Sequence, residues 1–267
     1  MAKVVFVTGA SSGIGLSIAL HLHEMGFRVY GSSRQPQKFS HLPFPLVALD
    51  VRYEVQIVQA IQYIVAEAGR LDVLVNNAGV GITGPLEETP LQEIKNNFEV
   101  NFFGPLRVIQ EVLPVMRNQK SGLIINITSI AGYMGLPFRG AYSSSKASLD
   151  IMTEAIRMEV KPFNIQLTTV APGDFATNIA QGRYHVPVHT DSPYKSTYGP
   201  VLSEMNTHVD HGSDPKEMAI AVAQIIQTTQ PKVHYKVGAF MQKFSIVLKR
   251  ILPDTWYEKL LMNHYGL

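Results

Sequence analysis

The stretch VVFVTGASSGIG, residues 4–15, decides the fold class. Its first four residues are apolar and predict a buried strand, and the glycines that follow allow a sharp turn into a helix beginning near Ile14. Glycine lets a backbone approach a pyrophosphate closely, and the free N–H groups of a new helix attract anions. A tight turn needs glycine in any case, so the G-x-x-x-G-x-G cluster is informative because it directly follows the first strand. It predicts a dinucleotide site.

The rest of the chain alternates apolar strand-like runs with helical patterns. The runs are mostly continuous, which is typical of strands covered on both faces. The predicted strands are Val4–Thr8, Val29–Ser32, Leu46–Leu49, Val73–Asn76, Leu123–Thr128, Ile165–Val170 and Val233–Val237, and the predicted helices are Ile14–Met25, Val55–Ala68, Leu91–Met116, Tyr142–Val160 and Lys216–Thr228. This order predicts an α/β fold, a doubly wound parallel sheet (a Rossmann domain) with right-handed crossovers. We expect residues 1–267 to form a single domain.

Two segments depart from this alternation. Residues 173–214 are rich in Gly, Pro, His and Tyr, and a loop of this length inside a domain is typical of a substrate lid. Its aromatic residues favour a sizeable apolar substrate, with a lid that packs on itself as the alternative: Tyr184, His185, His189, Tyr194, Tyr198, His208 and His211. Residues 239–267 form a predicted C-terminal helical tail. Its apolar residues could pack on the same domain, on another subunit or on a membrane: Trp256, Tyr257, Leu260, Leu261 and Met262.

Composition narrows the class of protein. The 267 residues are 46% hydrophobic with a net charge of +2, which predicts a globular fold and gives no sign of a nucleic-acid-binding surface. Cysteine is absent, which excludes disulfides and thiolate metal sites, and the histidines lack metal-ligand spacing, so we expect no metal. The N-terminal run predicts a strand rather than a signal sequence, and no stretch is long enough to span a bilayer. We expect a cytoplasmic protein.

The end of the second predicted strand indicates which dinucleotide binds. NAD sites place an acidic residue near this position for the ribose 2′-hydroxyl, whereas NADP sites place an arginine there for the 2′-phosphate. The segment between Met25 and Leu49 has no acidic residue but contains Ser33, Arg34 and Lys38. We therefore expect NADP(H), with Arg34 as the main phosphate partner and Ser33 beside it. A solvated loop arginine is the alternative.

Tyr142 and Lys146 are the candidate acid/base pair. They are four residues apart in a helical pattern, so they share one face. A neighbouring ammonium favours the phenolate form of a tyrosine, and such a tyrosine can exchange a proton with a substrate oxygen near neutral pH. Ser129 ends the preceding predicted strand, at the edge of a parallel sheet where ligands bind. A Tyr-x-x-x-Lys pair alone is common by chance, so the combination carries the prediction.

Together these motifs resemble the short-chain dehydrogenase/reductase family, of the compact single-domain type. The matching residues occur in family order and are Thr8–Gly15, Asp50, Val51, Asn76–Gly79, Asn101, Ser129, Tyr142, Lys146, Pro172, Gly173 and Thr177. The resemblance implies that Tyr142 is the general acid/base and that Ser129 polarises the substrate carbonyl. It implies that Lys146 also holds the nicotinamide ribose and that Asn101 anchors a water in the proton relay. Asp50 and Val51 would contact the adenine, and Thr177 the nicotinamide carboxamide.

The implied function is an NADP(H)-dependent oxidoreductase that transfers a hydride between nicotinamide and a carbonyl or alcohol. The implied catalytic residues are Asn101, Ser129, Tyr142 and Lys146. The cofactor would contact Gly9, Ser11, Ser12, Gly13, Ile14, Gly15, Ser33, Arg34, Asp50, Val51, Asn77, Ala78, Gly79, Tyr142, Lys146, Pro172, Gly173 and Thr177. The alternative is a non-catalytic NADP-binding redox sensor, a class that loss of the tyrosine or lysine would mark. An isomerase or dehydratase of nucleotide sugars ranks last, because those chains are longer and have a different glycine pattern.

The tail resembles that of the 17β-hydroxysteroid dehydrogenase and retinol dehydrogenase branch of the family. This resemblance implies a hydrophobic ketone or alcohol as substrate. Homo-oligomers are usual in the family, so we expect a homodimer built largely on the helices Leu91–Met116 and Tyr142–Val160.

Overall fold

The computed structural model describes residues 2–176, 182–210 and 212–267, without the side chains of residues 206–210. Its strands are β1 (Val4–Val7), β2 (Arg28–Ser33), β3 (Leu46–Ala48), β4 (Val73–Asn76), β5 (Ile82–Thr83), β6 (Gly122–Ile127), β7 (Ile165–Pro172), β8 (Tyr184–His185) and β9 (His234–Val237). Within the described residues, seven of them form a parallel sheet in the order β3-β2-β1-β4-β6-β7-β9. The doubly wound parallel sheet is thereby confirmed.

The direction of strand addition reverses at β1. Val5 lies opposite Val29 on one side and opposite Val73 on the other, so β1 pairs with both β2 and β4. From β1, the next strands along the chain, β2 and β3, are added on one side. The later strands β4, β6, β7 and β9 are added in turn on the other side. In open parallel sheets, ligands bind beyond the carboxyl ends of the strands at such a switch point. The fold therefore places a ligand site beside the glycine turn that follows β1.

Helices cover both faces of the sheet. They are α1 (Gly13–Glu24), α2 (Glu54–Ala68), α3 (Leu91–Phe98), α4 (Gly104–Gln119), α5 (Gly140–Glu159), α6 (Lys195–Asp210), α7 (Pro215–Gln227), α8 (Phe240–Ile251) and α9 (Asp254–His264). One hydrophobic layer joins α1 and α7 to the sheet through residues such as Ile18 and Val222. The other joins α2 and α4 to the opposite face through Ile57 and Ile109. Because the sheet is buried on both faces, the sequences of its strands are mostly continuous apolar runs.

The predicted helix Leu91–Met116 is interrupted. A π-helical segment, Glu99–Phe103, separates α3 from α4. Pro105 lies just beyond this segment and has no N–H to donate to the Asn101 carbonyl four residues earlier. The regular hydrogen-bond pattern of an α-helix is therefore interrupted there. The prediction of one continuous helix was wrong at this point, and the break falls on a predicted catalytic residue.

Residues 173–214 are more ordered than the predicted loop. They contain α6 and the short strand β8, which pairs in parallel with β5. Gly199 and Pro200 lie inside α6, and both are typical helix breakers, so they conceal the helix in the sequence. The expectation of a long loop was therefore wrong.

The C-terminal tail is helical, as predicted, and packs on its own domain. Ile246 of α8 and Tyr257 of α9 are buried in a small core with Ile130, Met134 and Ala171. Of the three packing alternatives, the structure shows the first for this face of the tail. In the part of the chain that the structure describes, no helix combines the length and apolarity needed to cross a membrane.

Candidate active site

The glycine turn after β1 is built by hydrogen bonds to the end of β2. Gly9 adopts φ +67°, a backbone conformation that favours glycine, and its N–H donates to Ser32 Oγ at 3.0 Å. The Ala10 N–H donates to the Ser32 carbonyl at 2.9 Å. A Cβ placed on Gly15 would lie 2.3 Å from both Asn77 Nδ2 and the Gly9 carbonyl. The close approach of the turn to α1 therefore requires glycine at position 15.

The predicted cofactor residues after β4 are held against this turn. Thr8 Oγ1 accepts hydrogen bonds from the N–H groups of Asn77 and Ala78, both at 3.0 Å. Asn77 Nδ2 in turn donates to the Thr8 carbonyl at 3.0 Å. The roles of the Thr8 and Ser32 hydroxyls were not predicted, although Thr8 directly precedes the glycine motif and Ser32 lies in the neighbouring strand β2. They are the side chains that fix the turn.

This arrangement fits a dinucleotide. Ser12 is the N-cap of α1, and its side chain makes no capping hydrogen bond, so the first N–H groups of the helix remain available to an anion. Arg34 is exposed directly after β2 and can reach a charged group at this edge. The donors are backbone N–H groups, hydroxyls and a guanidinium, which suit phosphate groups.

Asp50 lies beyond β3 and is engaged by a basic neighbour. Its carboxylate pairs with the Arg52 guanidinium at 2.6 Å. Burial acts to raise the pKa of Asp50, but the hydrogen bonds from Arg52 outweigh it, so the pKa is lowered. The neighbouring Val51 packs against Gly104, where an added Cβ would lie 2.7 Å from Val51 Cγ2. Both residues lie at the edge where the adenine contacts were predicted.

One cavity of about 130 Å³ brings predicted cofactor and catalytic residues together. The predicted residues in its lining are Ile14, Ser129, Tyr142, Pro172 and Gly173. Ser129 and Tyr142 are 7% and 8% exposed, so little of either side chain meets solvent. Ser129 Oγ accepts the Ala131 N–H at 3.1 Å, which fixes this hydroxyl where β6 has ended.

Lys146 lies behind Tyr142 in a buried position. Its Nζ donates to the Ile127 carbonyl at 3.0 Å, and a Cβ placed on Gly79 would lie 3.3 Å from this nitrogen. Burial lowers the pKa of Lys146 to about 8. Among the described residues no carboxylate lies within 4.0 Å of the ammonium. The remaining N–H groups of Lys146 are therefore free to bind a neutral hydroxyl.

Asn101 connects the loop after β4 with α5. Its Nδ2 donates to the Val80 carbonyl at 2.9 Å and to Ser145 Oγ at 3.1 Å, and its Oδ1 accepts the Val80 N–H at 2.9 Å. Ser145 Oγ donates to the Tyr142 carbonyl at 2.8 Å. Ser145 was not predicted, because its only signal in the sequence is its place one residue before Lys146. The network fixes the segment that carries Tyr142 and Lys146.

The other walls of the cavity come from residues that sequence analysis did not select. They are Gly81, Ile82, Arg139, Asp174, Phe175, Arg183, Val201, Glu204, Met205, His264 and Tyr265. The pairing of β8 with β5 positions Arg183, whose Cγ would lie 2.9 Å from a Cβ placed on Gly81. The Arg139 guanidinium lies over the Tyr142 ring, 5.4 Å from its centroid. Two cations therefore border the candidate acid/base.

The aromatic residues predicted for the lid do not line this cavity where the structure describes them. Tyr198 is fully buried, and its hydroxyl donates to the Val186 carbonyl at 3.0 Å. Tyr194 donates to the Glu87 carboxylate at 2.7 Å. The alternative of a lid that packs on itself describes Tyr198, whereas Tyr194 contacts a residue outside the lid. Thr177 and His211, and the side chain of His208, lie outside the described residues.

The tail reaches the cavity from two directions. Gln242 of α8 donates to the Asp174 carboxylate at 2.7 Å and accepts the Asp174 N–H at 3.2 Å. His264 and Tyr265, at the end of α9, contribute to the cavity wall. Burial raises the pKa of Tyr265, and the charge of Arg139 partly offsets this effect. Nothing in the local sequence connected the tail to the active site.

The chain combines a doubly wound parallel sheet with a glycine turn at its switch point and a Ser–Tyr–Lys set at the same edge. This combination is typical of a class of nicotinamide-dependent oxidoreductases. The chain belongs to the short-chain dehydrogenase family, whose model, described as "short chain dehydrogenase", matches residues 3–186. It is 36% identical to the "3-ketodihydrosphingosine reductase" of Bacteroides thetaiotaomicron over 267 residues, 99% of this chain and 98% of that protein. The predicted family membership is confirmed.

Solved structures agree with this assignment. A short-chain dehydrogenase from Streptomyces avermitilis has a TM-score of 0.82 at 32% identity, covering 97% of both chains. One from Burkholderia cenocepacia J2315 in complex with NADP has a TM-score of 0.77 at 26% identity, covering 97% of this chain and 98% of that one. One from Burkholderia phymatum in complex with NAD shares the fold, with a TM-score of 0.79 at 20% identity, covering 93% of each chain.

Proposed function

We propose that this protein is an NADP(H)-dependent reductase of hydrophobic ketones. The observation that carries the proposal is that Ser129 and Tyr142 line the same cavity as Ile14, Pro172 and Gly173. Ile14 lies in the first turn of α1, Pro172 ends β7 and Gly173 follows it, so all three lie on the predicted cofactor side. A carbonyl held by Ser129 and Tyr142 therefore lies beside the predicted place of the nicotinamide.

The residues divide the proton chemistry between them. Bound NADPH would supply the hydride to the carbonyl carbon. Ser129 donates a hydrogen bond to the carbonyl oxygen, and Tyr142 gives that oxygen its proton. The Lys146 ammonium favours the phenolate form of the tyrosine as the proton leaves. The Asn101 side-chain amide is engaged by Val80 and Ser145, so we assign the anchoring of a relay water to its main-chain carbonyl.

NADP(H) is favoured over NAD(H) by the charges at the end of β2. Arg34 is exposed there, and the next acidic residue after it along the chain, Asp50, is paired with Arg52. A free carboxylate would hold the ribose 2′-hydroxyl of NAD, whereas a guanidinium pairs with the 2′-phosphate of NADP. The 26% sequence identity to the Burkholderia cenocepacia dehydrogenase that was solved with NADP also supports NADP(H) as the cofactor.

The cavity walls favour an amphiphilic substrate. Ile82, Phe175 and Val201 supply apolar surface, whereas Arg139 and Arg183 place charge near Tyr142. A ketone with an apolar chain and a polar group close to the carbonyl matches this division. The 36% sequence identity to a 3-ketodihydrosphingosine reductase, over 99% of this chain, favours long-chain ketones such as 3-ketodihydrosphingosine as substrates.

The test is a substrate panel followed by nicotinamide absorbance. We expect NADPH oxidation with 3-ketodihydrosphingosine or other long-chain ketones, and slower turnover of short ketones and of nucleotide sugars. Tyr142→Phe removes the proton donor and is expected to lower kcat by at least ~10²-fold while NADPH affinity changes little. An absence of turnover with every carbonyl and alcohol, together with tight NADPH binding, would support the redox sensor instead.

A further inference from the structure

The last two helices expose a row of large apolar side chains. Phe240, Phe244, Val247 and Ile251 follow one another at intervals of four, three and four residues, which places them on one face of α8. Phe240 is 72% exposed and Ile251 67%, and the rings of Phe240 and Phe244 stack with centroids 5.7 Å apart. The α8–α9 apolar face is defined here as Phe240, Phe244, Val247, Ile251, Trp256 and Leu260.

This face is separate from the core packing of the same helices. α8 packs through Ile246, which is 1% exposed, and α9 packs through Tyr257, which is 3% exposed. Trp256, next to Tyr257, is 66% exposed. Each helix is therefore apolar on a second side, which contacts no core cluster among the described residues. Exposed apolar rows of this kind mark an interaction site.

The charges around this face favour an anionic partner. α8 carries Lys243, Lys249 and Arg250 and no acidic residue. α9 adds Lys259 and the acidic Asp254 and Glu258, so basic residues still outnumber acidic ones on the two helices together. Lys249 pairs with Asp254 at 2.7 Å, which leaves two cations on α8. Arg250 also lies near Lys236, whose pKa is lowered by burial and by the Arg250 charge. A second copy of the same helix would bring like charges together, whereas an anionic surface compensates them.

We propose that the α8–α9 apolar face docks on the surface of a membrane that contains anionic lipids. Aromatic and aliphatic side chains enter the boundary between headgroups and acyl chains, and Lys243 and Arg250 pair with lipid phosphates. Neither helix crosses the bilayer in this arrangement, because an interfacial helix lies in the plane of the surface.

Docking would place the substrate cavity beside the bilayer. Gln242 of α8 binds Asp174, and Tyr265, just after α9, lines the same cavity as Tyr142. A long-chain ketone could thus move from the lipid phase towards the catalytic residues. This consequence rests on the proposed function, whereas the docking itself does not depend on turnover.

The experiment is flotation of the full-length protein with vesicles. We expect the wild type to float with vesicles of phosphatidylcholine and phosphatidylglycerol, and much less with phosphatidylcholine alone. Phe240→Ser/Phe244→Ser is expected to lower the partition coefficient at least ~10-fold, because buried apolar area drives insertion. Lys243→Glu/Arg250→Glu should abolish the preference for anionic vesicles. Val55→Ser/Leu86→Ser, which changes residues that are 68% and 77% exposed elsewhere, is the matched control and should float like the wild type.

The far-ultraviolet circular dichroism spectrum checks the folding of each variant independently of turnover and should be unchanged. Absence of wild-type flotation, or equal flotation of the phenylalanine variant, would overturn the proposal. Light scattering distinguishes a second copy: a dimer that dissociates in Phe240→Ser/Phe244→Ser would assign the face to self-association instead. Flotation by a protein without reductase activity would leave the docking standing and reject only the proposed function.

Discussion

At the scale of single residues, Lys146 has the most unusual environment among the residues of the candidate site. It is buried behind Tyr142, donates to the Ile127 carbonyl and has a pKa lowered to about 8 by burial. An ammonium in this position is costly without an anion, and the protein keeps it where a tyrosine must lose and regain a proton. Such perturbed groups are typical of functional sites.

The burial of Lys146 gives a prediction for stability against pH. In the unfolded chain the lysine keeps its proton up to about pH 10.5, whereas in the folded protein it loses the proton at about 8. The unfolded state therefore binds more protons between these values, and raising the pH through this window favours folding. Relative to Lys146→Met, the free energy of unfolding of the cofactor-free wild type should rise by up to ~1.4 kcal/mol per pH unit. Urea denaturation at several pH values measures it, and parallel curves for the two proteins would contradict it.

Arg34 provides the prediction for cofactor choice. Arg34→Asp replaces a cation at the end of β2 by a carboxylate, which repels a 2′-phosphate and can accept the ribose 2′-hydroxyl. We expect kcat/KM for NADPH to fall by ~10- to 100-fold while that for NADH is retained or improved. Lys38→Asp makes the same charge change on the 3₁₀ turn Pro36–Phe39. Comparison of the two variants distinguishes a direct contact between residue 34 and the 2′-phosphate from a general effect of charge at this edge. An equal loss in both variants would show that Arg34 makes no specific contact.

At the scale of elements, the turn between β1 and α1 leaves no room for a side chain at position 15. A Cβ on Gly15 would collide with the Gly9 carbonyl, and the turn cannot widen without breaking the bonds from Gly9 and Ala10 to Ser32. Gly140, the first residue of α5, has open space around its Cα and a backbone that other residues can adopt. The two glycines therefore form a matched pair at the starts of two helices.

Alanine substitutions test this difference. Gly15→Ala should lower the free energy of unfolding by ~1–3 kcal/mol through overpacking and should weaken NADPH binding. Gly140→Ala should leave NADPH binding unchanged and stabilise the fold slightly, by ~0.5 kcal/mol, because alanine restricts the unfolded chain. Urea denaturation and NADPH fluorescence titration provide the two measurements. A similar loss of stability and of NADPH binding in both variants would show that position 15 has no special requirement for glycine.

The central sheet and its cofactor edge were predictable because their signals are local. The apolar run Val4–Val7 and the glycines after it specify strand, turn and helix within a few residues. The Tyr–Lys spacing on α5 likewise needs only the period of a helix, and the family pattern supplied the distant residues such as Asn101. The fold and the family could therefore be predicted from short motifs, and the roles of the site residues remain predictions.

The substrate side was not predictable, for two physical reasons. α6 is stabilised by burial of Tyr198 and Val201, which overrides the helix-breaking Gly199 and Pro200, and no local pattern reveals such tertiary burial. Arg183 reaches the cavity through the pairing of two very short strands, a contact between segments about a hundred residues apart in the sequence. The tail also closes the cavity only through long-range contacts.

At the scale of the whole molecule, α5 has an exposed face that fits a subunit contact. Ile151 and Met158 are 68% and 70% exposed and are seven residues apart, so they share one face of the helix. The same helix buries Tyr142 and Leu149 on its inner side. A two-fold contact along α5 would bury the outer pair against the same residues of a second copy. This is the homodimer that the family resemblance implies.

Charge introduced on this face should separate the subunits. Ile151→Lys/Met158→Lys places four lysines in a two-fold contact, and like charges directly opposite one another are strongly unfavourable. We expect a dimer for the wild type and a monomer for the variant in light scattering, whereas Val55→Lys on α2, also 68% exposed, stays dimeric. The α8–α9 apolar face belongs to other elements, so the monomer should still float with anionic vesicles. A variant that remains dimeric would move the subunit contact to another surface, and one that loses both properties would show that dimerisation orients the membrane-docking helices.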